Sequence, residues 1–387
     1  MKNRLQRVPE ERSQTMLCEE VSLPRKTLKV GTCQAVAGEL SYGSYEGPKL
    51  PTGSADDLAV VIAQGRRDGP VLWLTANIHG NEVAGIVVLH RLLSGDLTRD
   101  LQGTIVCIPS LNPAGLRTNK RHPYYDDRDP NRTFPGVRRD TGEAREPTVY
   151  ERLSSRLLED IHASADYYVD LHCASILSIP YSIRDRVLYR EESEKADAQA
   201  LSDRLDEMVA AFGFPAVIEY RLKSYIAKEL HRSTTGAALQ ELRLPAFTVE
   251  LGAHTVADEH AVSAGVIGLR NLLRWAKMLP GAAEAMPPIP QFPSSQRFRR
   301  EDGGYPSVTG IADYRIKPGD SVKNGTVIAQ LRDLWGRPIQ DGTVKVTADS
   351  WVLGIEDGIL AYPGASLAHF AVAETSPVVE AWPDEVR

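Results

Sequence analysis

VLWLTANIHGNEVAGIVVLHRLL, running from Val71 to Leu93, changes its hydrophobic period once along its length. An apolar and β-branched run stops at Asn77, His79 and Gly80, and apolar residues resume at helical spacing through Val83, Ile86, Val87, Leu89 and Leu92. The pattern reads as a buried strand, a tight turn and a helix. The turn carries His79 and Glu82, three residues apart. With Glu82 in the first helical turn, an imidazole and a carboxylate point at one place, as a borderline metal such as zinc requires.

Outward from this stretch, the 387 residues suffice for one large α/β domain and a smaller partner. Hydrophobic residues make up 42% and charged residues 25%, the balance of an ordinary globular protein. A net charge of −6 disfavours a nucleic-acid surface. The N-terminal MKNRLQRVPEERSQ has no apolar core, so it is read as no secretory signal, and no run of about 18 apolar residues suggests a membrane span. Cys18, Cys33, Cys107 and Cys173 form no CxxC pair, which fits a reduced, cytoplasmic protein with free thiols.

Residues 1–16 are polar, and short alternating stretches between Glu20 and Tyr45 suggest a small β element. DLAVVIAQ (Asp57 to Gln64) and Val71 to Ile78 flank GRRDG, a turn signal that predicts a hairpin. A helix from Glu82 and a strand at Thr104 to Pro109 then suit a partly parallel sheet covered by helices on both faces. The loop from Asn112 to Arg139 is charged and poor in aliphatic residues, with seven Lys or Arg against three Asp between Gly115 and Arg139. Long charged loops inside compact domains are usually functional or disordered, and the NPAG turn, Tyr124, Tyr125 and the closing TFPG argue for function.

Helices are expected over Thr148 to Ser164, Ser193 to Phe212, Ser233 to Leu242 and Asp258 to Met278, with strands at Asp166 to His172 and Pro245 to Leu251. MPPIPQFP, Met286 to Pro293, reads as a linker. Beyond it, short strand-like runs with glycine turns predict a small β domain over Arg297 to Ala373. The division is therefore an N-terminal β extension (1–50), a zinc-dependent catalytic domain (51–285), a proline-rich linker (286–296) and a C-terminal β domain (297–387).

Three apolar strands end in a metal-capable or acidic residue: His79 after VLWLTANI, His172 after DYYVDL, and Glu250 after FTV. In open α/β sheets ligands bind at the carboxyl ends of strands, so these residues can converge. Two His and one Glu would give zinc three protein ligands and leave a fourth position for water. Each signal is weak alone, since HxxE arises by chance and a solitary His at a strand end is more often structural. The ordered set is more specific. HGNE, NPxG, an Arg upstream of DxNRxFPG, DLH and VELG together resemble the succinylglutamate desuccinylase/aspartoacylase family of zinc enzymes, related to the zinc carboxypeptidases. The similarity runs from about Asp57 to Met278, and the tail resembles the C-terminal domain of many members.

The resemblance implies an α/β fold with a zinc-carboxypeptidase-like mixed sheet sandwiched by helices, plus a small C-terminal all-β, barrel-sandwich-like domain. It implies that His79, Glu82 and His172 hold one zinc ion and that Glu250 is the general base, taking a proton from the attacking water and delivering it to the leaving amine. Arg132 would pair with the substrate carboxylate and Asn131 would donate a side-chain hydrogen bond, a task that guanidinium geometry suits. Arg121 would stabilise the oxyanion, with Arg117 nearby as another candidate for substrate contact. Pro130 stands where the family usually has Leu, and the spacing from Arg121 to Asn131 is longer than in shorter members.

Asn112 is expected to shape its turn, Asp170 to support a zinc histidine, and Cys173 to pack. His90, His254 and His260 are taken as structural. PGDSVKNGTVIAQL in the tail resembles biotin or lipoate carrier domains, but TADSWVLGIEDG offers no lysine for attachment, so the tail is expected to border the site or aid assembly.

The expected activity is hydrolysis of the amide of a small N-acyl amino acid. A zinc carboxypeptidase acting on peptides or cell-wall fragments is the nearest rival, and a noncatalytic metal- or ligand-binding protein of the same fold is the rival from another class. Absence of GxSxG and HExxH speaks against the serine hydrolase and the commonest zinc protease signatures. The expected partner is the small-molecule substrate, without nucleic acid or membrane, and homo-oligomerisation stays open. Ser178 to Arg190 and Glu219 to Ser233 are expected to line the far pocket, though nothing in them separates acetyl, succinyl or aspartyl substrates.

Overall fold

The computed structural model describes residues 28–93, 96–136, 145–293 and 295–383. Residues 1–16, Cys18, the start of the Glu20 to Tyr45 stretch and the end of the loop at Arg139 lie outside them.

The larger part, residues 28–276, is built on β1 (Leu40–Tyr45), β2 (Leu58–Gln64), β3 (Arg67–Ala76), α1 (Ala84–Leu92), β4 (Gln102–Ile108), α2 (Val149–Ser164), β5 (Tyr167–Ala174), β6 (Pro180–Arg184), α3 (Lys195–Phe212), β7 (Ala216–Ile218), α4 (Thr234–Glu241), β8 (Ala246–Ala253) and α5 (Glu259–Trp275). In the sheet, β6, β8, β5, β3, β4, β2 and β1 lie side by side in that order. β8, β5, β3 and β4 run parallel to one another, whereas β6 is antiparallel to β8 and β2 is antiparallel to β4.

The expected hairpin is not formed. β4 is inserted between β2 and β3, pairing antiparallel with the first and parallel with the second. The cause is burial: Leu72, Trp73 and Leu74 are almost wholly enclosed, so β3 has its apolar side chains covered on both faces and takes the sheet interior, between β4 and β5. Leu72, Leu74 and Ala76 pack with Val88 of α1, Met208 of α3 and Leu269 of α5. Trp73 and Ile78 pack on the other face with Leu153 and Leu157 of α2 and Ala237 and Ala238 of α4. The long helices start where their caps place them. Thr148 and Glu151 form a reciprocal capping box at α2, and Asp258 accepts from the Ala261 amide at α5.

After the proline-rich segment come β9 (Phe298–Gly303), β10 (Gly310–Tyr314), β11 (Val327–Arg332), β12 (Pro338–Lys345), β13 (Ser350–Ile355) and β14 (Ala368–Ala373). They have a core of their own around Ala312, Ile328, Leu331, Val352 and Phe370. They are also joined to the main sheet: β9 meets β7 at Ile218 and Arg299 and pairs antiparallel with β14. Phe298, Leu353 and Ala371 share a cluster with Tyr181, Ile183 and Val217 of β6 and β7. This join carries C-terminal side chains to the edge of the main sheet.

Candidate active site

The turn after β3 is held by one side chain. Asn77 adopts a left-handed backbone, and its amide donates toward the carbonyls of His79, Gly80 and Glu82 at 3.1, 3.0 and 2.9 Å. The turn is therefore two residues longer than expected. α1 begins at Ala84, so Glu82 precedes the helix rather than lying in its first turn. Gly80 lets the loop of the next segment approach: a Cβ there would meet the Gly115 carbonyl carbon at 2.1 Å, and the Gly80 amide donates to the Arg121 carbonyl at 3.1 Å.

β3, β5 and β8 are adjacent, so their carboxyl ends place His79, His172 and Glu250 at one edge, with Glu250 directly beside His172 in register. Glu82 lies between the imidazoles. Its Oε1 is 2.7 Å from His79 Nδ1 and its Oε2 is 2.8 Å from His172 Nδ1 and accepts from the Cys173 amide at 3.0 Å. One donor atom from each of His79, Glu82 and His172 lies within 4.8 Å of the others, so these three could hold a metal ion.

The outer ring nitrogens are also occupied. His79 Nε2 lies 3.0 Å from Asp129 Oδ1, and His172 Nε2 lies 2.9 Å from Asp170 Oδ2. Asp170 is fixed by Thr75 at 2.7 Å and Thr234 at 2.5 Å. Carboxylates behind ligating imidazoles fix the tautomer and raise ligand basicity. Burial pushes Glu82 up, but His79 and His172 outweigh it and hold its carboxyl well below the usual range. Burial pushes His172 down, and Asp170 and Glu82 outweigh that, raising it. The donor set is thus one that attracts positive charge at its centre.

Glu250 is buried, and its Oε2 has no hydrogen-bond partner among the described residues. Burial, followed by the charge of Glu82, raises its pKa. The expected arginines separate. Arg132 spends Nε and Nη1 on the carbonyls of Lys228 and Asn131, at 2.8 and 2.6 Å, which leaves its remaining edge for the cleft it lines. Asn131 accepts from the Thr234 amide at 2.8 Å through Oδ1, so its amide nitrogen is free to donate. Arg121 lies at the rim, 3.3 Å from Glu82 and 3.0 Å from Asp129. Arg117 does not line the cleft; it pairs with Asp56.

Asn112 caps its short helix by accepting from Gly115 at 2.8 Å, and Cys173 is buried with a thiol pushed well up by that burial. His254, read as structural, lines the cleft and pairs with Asp357.

Residues not singled out in the sequence complete the cleft, which has a volume of about 260 Å³. Asp129 is the connecting carboxylate, bound to His79, to Arg121 and to the Asn131 amide at 2.8 Å. Its signal was present in DPNR. Arg300, Glu356, Asp357 and His369 arrive from the C-terminal strands, with no local signal to announce them. Ile183, Asp185, Glu219, Leu230 and Ser233 come from the two segments expected to line the far pocket.

Two imidazoles and a carboxylate at the carboxyl ends of adjacent parallel strands, with a second carboxylate beside them, define an α/β protein with a candidate metal centre. The chain belongs to the succinylglutamate desuccinylase/aspartoacylase family, since residues 68–276 match the model of its catalytic domain. It is 24% identical over 276 residues to N-alpha-acetyl-L-2,4-diaminobutyric acid deacetylase of Halomonas elongata, covering 70% of this chain and 72% of that protein. It is 25% identical over 291 residues to succinylglutamate desuccinylase of Serratia proteamaculans, covering 74% and 80%. Among solved structures, a succinylglutamate desuccinylase/aspartoacylase from Rhodobacter sphaeroides superposes with a TM-score of 0.71 at 18% identity, covering 92% of this chain and 99% of that one. A product-bound ectoine utilization protein from Ruegeria pomeroyi gives 0.68 at 21% identity, covering 87% and 95%. These two show the fold. Among the described residues no helix is long and apolar enough to cross a membrane.

Proposed function

We propose that the protein is a zinc-dependent amidohydrolase that cleaves the amide of a small N-acyl amino acid. The observation that carries this reading is the juxtaposition of the His79, Glu82 and His172 donor atoms with the unpartnered Oε2 of Glu250. Nitrogen and carboxylate donors with a supported outer shell suit zinc. When bound, zinc acts as a Lewis acid and lowers the pKa of a water to about 7.

The chain's own residues supply the rest. Glu250 takes the proton of the attacking water at Oε2 and returns it to the leaving amine, a role that burial favours by keeping its pKa above that of a free carboxylate. Arg132 and Asn131 hold the substrate carboxylate. Arg121, tied to Glu82 and Asp129, stands by to offset charge on the carbonyl oxygen. The segment after the proline-rich stretch, which brings Arg300, Glu356, Asp357 and His369 to the cleft, narrows access in this reading, which favours a small substrate over a peptide chain. The curated relatives bear names of N-acyl amino acid deacylases, and those names support the reaction class while leaving acyl group and amino acid open. A cytoplasmic location fits such a substrate.

The test is amine release from a panel of N-acyl amino acids and short peptides by zinc-loaded protein. Turnover of the acyl amino acids above the peptides supports the reading. Turnover of peptides alone would reassign the site to a carboxypeptidase, and none at all would leave a metal- or ligand-binding protein.

A further inference from the structure

Arg132 takes its aim from a neighbouring segment. Its Nε donates to the Lys228 carbonyl at 2.8 Å, Arg232 Nε donates to the Arg132 carbonyl at 3.1 Å, and the Phe134 amide donates to the Arg232 carbonyl at 3.2 Å. Further along the same segment, the Thr234 amide fixes Oδ1 of Asn131 at 2.8 Å. Residues 228–234 and 131–134 are thus one hydrogen-bonded unit that contains both members of the carboxylate clamp. A guanidinium on a long flexible stem meets a carboxylate in register only while the groups that hold it stay fixed.

What fixes the segment lies outside the cleft. Leu230–Arg232 is a single 3-10 turn, and so short a turn takes its position from what it packs on. Glu229 before it has a left-handed φ of 54°, which a residue with a Cβ keeps only where its surroundings hold it. Leu230 lines the cleft and is also buried in a cluster with Leu188, Tyr220, Tyr225 and Trp382. The Trp382 indole meets the His231 ring edge-on, with centroids 5.5 Å apart, and the Arg190 guanidinium covers it at 5.0 Å. Trp382 is 4% exposed and stands outside the cleft wall. It follows the strand Val379–Ala381, which pairs in parallel with Val187–Tyr189, and its own amide donates to the Tyr189 carbonyl at 2.9 Å. Arg186, fully enclosed, ties this strand to the pocket wall: it donates to the Pro377 carbonyl at 2.8 Å, to Glu374 and Glu380, and to the Tyr220 carbonyl at 2.6 Å.

We propose that Trp382 is a positioning residue for substrate recognition: placed by the strand Val379–Ala381, it holds the 228–232 turn and, through the Lys228 carbonyl, the Arg132 guanidinium. It touches no reacting atom, and its effect belongs to the carboxylate end of the substrate. The role of Arg132 rests on the deacylase reading, whereas the coupling of Trp382 to the turn is a property of the fold.

The test uses zinc-loaded full-length protein and Trp382→Leu, which keeps an apolar side chain but removes the ring. On the N-acyl amino acid turned over best, KM should rise about tenfold or more, with kcat within about threefold of the parent and zinc affinity unchanged in chelator competition. The matching N-acyl amino acid amide, which offers Arg132 no carboxylate, should lose less than about threefold in kcat/KM. In an Arg132→Ala background the same change should add nothing further on the acid. Equal losses on acid and amide, or losses that add to those of Arg132→Ala, overturn the positioning role. Should Trp382→Leu fail to fold, His231→Ala removes the turn's side of the ring contact and is held to the same outcomes. Hydrogen exchange of the native protein reads the coupling without substrate: amides of 228–234 should exchange about tenfold or more faster in the variant, while those of β3 and β5 keep their protection. Unchanged exchange at 228–234, or a rise throughout the protein, overturns it. If no acyl amino acid is hydrolysed the deacylase reading falls, and exchange alone decides the coupling.

Discussion

Glu250 and His172 sit side by side across β8 and β5, so a change at one is felt within the same few ångströms as a change at the other. Glu250→Gln keeps volume and hydrogen bonding but removes the proton acceptor. The expected outcome is retained zinc with turnover reduced by about 10² to 10⁴, checked by metal analysis and amine release on the same sample. Unchanged turnover would remove Glu250 from the reaction. Asp170→Asn acts one bond further out. Asp170 accepts from Thr75, Thr234 and the His172 ring, and an amide there presents a hydrogen where the ring also carries one. Chelator competition should show zinc affinity lowered by about 10- to 100-fold, with the unfolding midpoint of the metal-free protein moving far less than the affinity. Asp170 was legible because DLH places it two residues before the histidine on the same strand face. Asp129 was also within reach, in the DPNR run beside Asn131, whereas Arg300 was not, since its partner Glu219 lies far off in sequence.

The turn from Asn77 to Glu82 shows how element boundaries depend on side chains that periodicity does not weigh. The helical spacing from Val83 onward was sound, yet Asn77 binds three carbonyls and delays the start of α1 to Ala84. The missed pairing of β2 and β3 has a similar root. GRRDG marks a reversal correctly, but a turn signal is local, and the partner of a buried strand is set by which neighbour covers both its faces. Gly80 tests the packing of this element. Its missing Cβ lets the loop bearing Arg121 close over the turn, so Gly80→Ala should destabilise the protein by about 3 kcal/mol or more, as overpacking against backbone leaves nothing soft to yield. Thermal unfolding measures the loss. A midpoint within a degree of the parent would mean that the loop moves away without cost, and zinc affinity would then be expected to hold as well.

Across the whole molecule the cleft is closed by charge pairing between its two halves, and that pairing sets a pH window. Asp302 of β9 is bonded to Tyr220 and Lys228 of the catalytic half and to His369 of β14, and His369 also reaches Glu356 at 3.1 Å. Burial pushes His369 down, but Asp302 and Glu356 outweigh it and raise its pKa. Burial pushes Asp302 up, and His369, Tyr220 and Arg300 outweigh that and lower it; for Glu356 the His369 bond leads and lowers it too. A histidine raised on folding contributes stability that is complete below its unfolded value of about 6.5 and is lost as pH rises through the folded value. The two lowered carboxylates contribute stability that is present above their unfolded values of about 4 and is lost in acid. The seal is therefore strongest between about pH 4.5 and 6.5, and it weakens on the alkaline side through His369. In His369→Gln the contribution below pH 6.5 is gone from the start. The parent should be the more stable of the two at pH 6, and the gap between their unfolding midpoints should narrow as pH rises past 7. A gap that stays constant from pH 6 to 9 would show that the imidazole is held by packing alone. Because Arg300 and His369 line the same cleft as the candidate metal ligands, a looser seal should also raise KM before it lowers kcat.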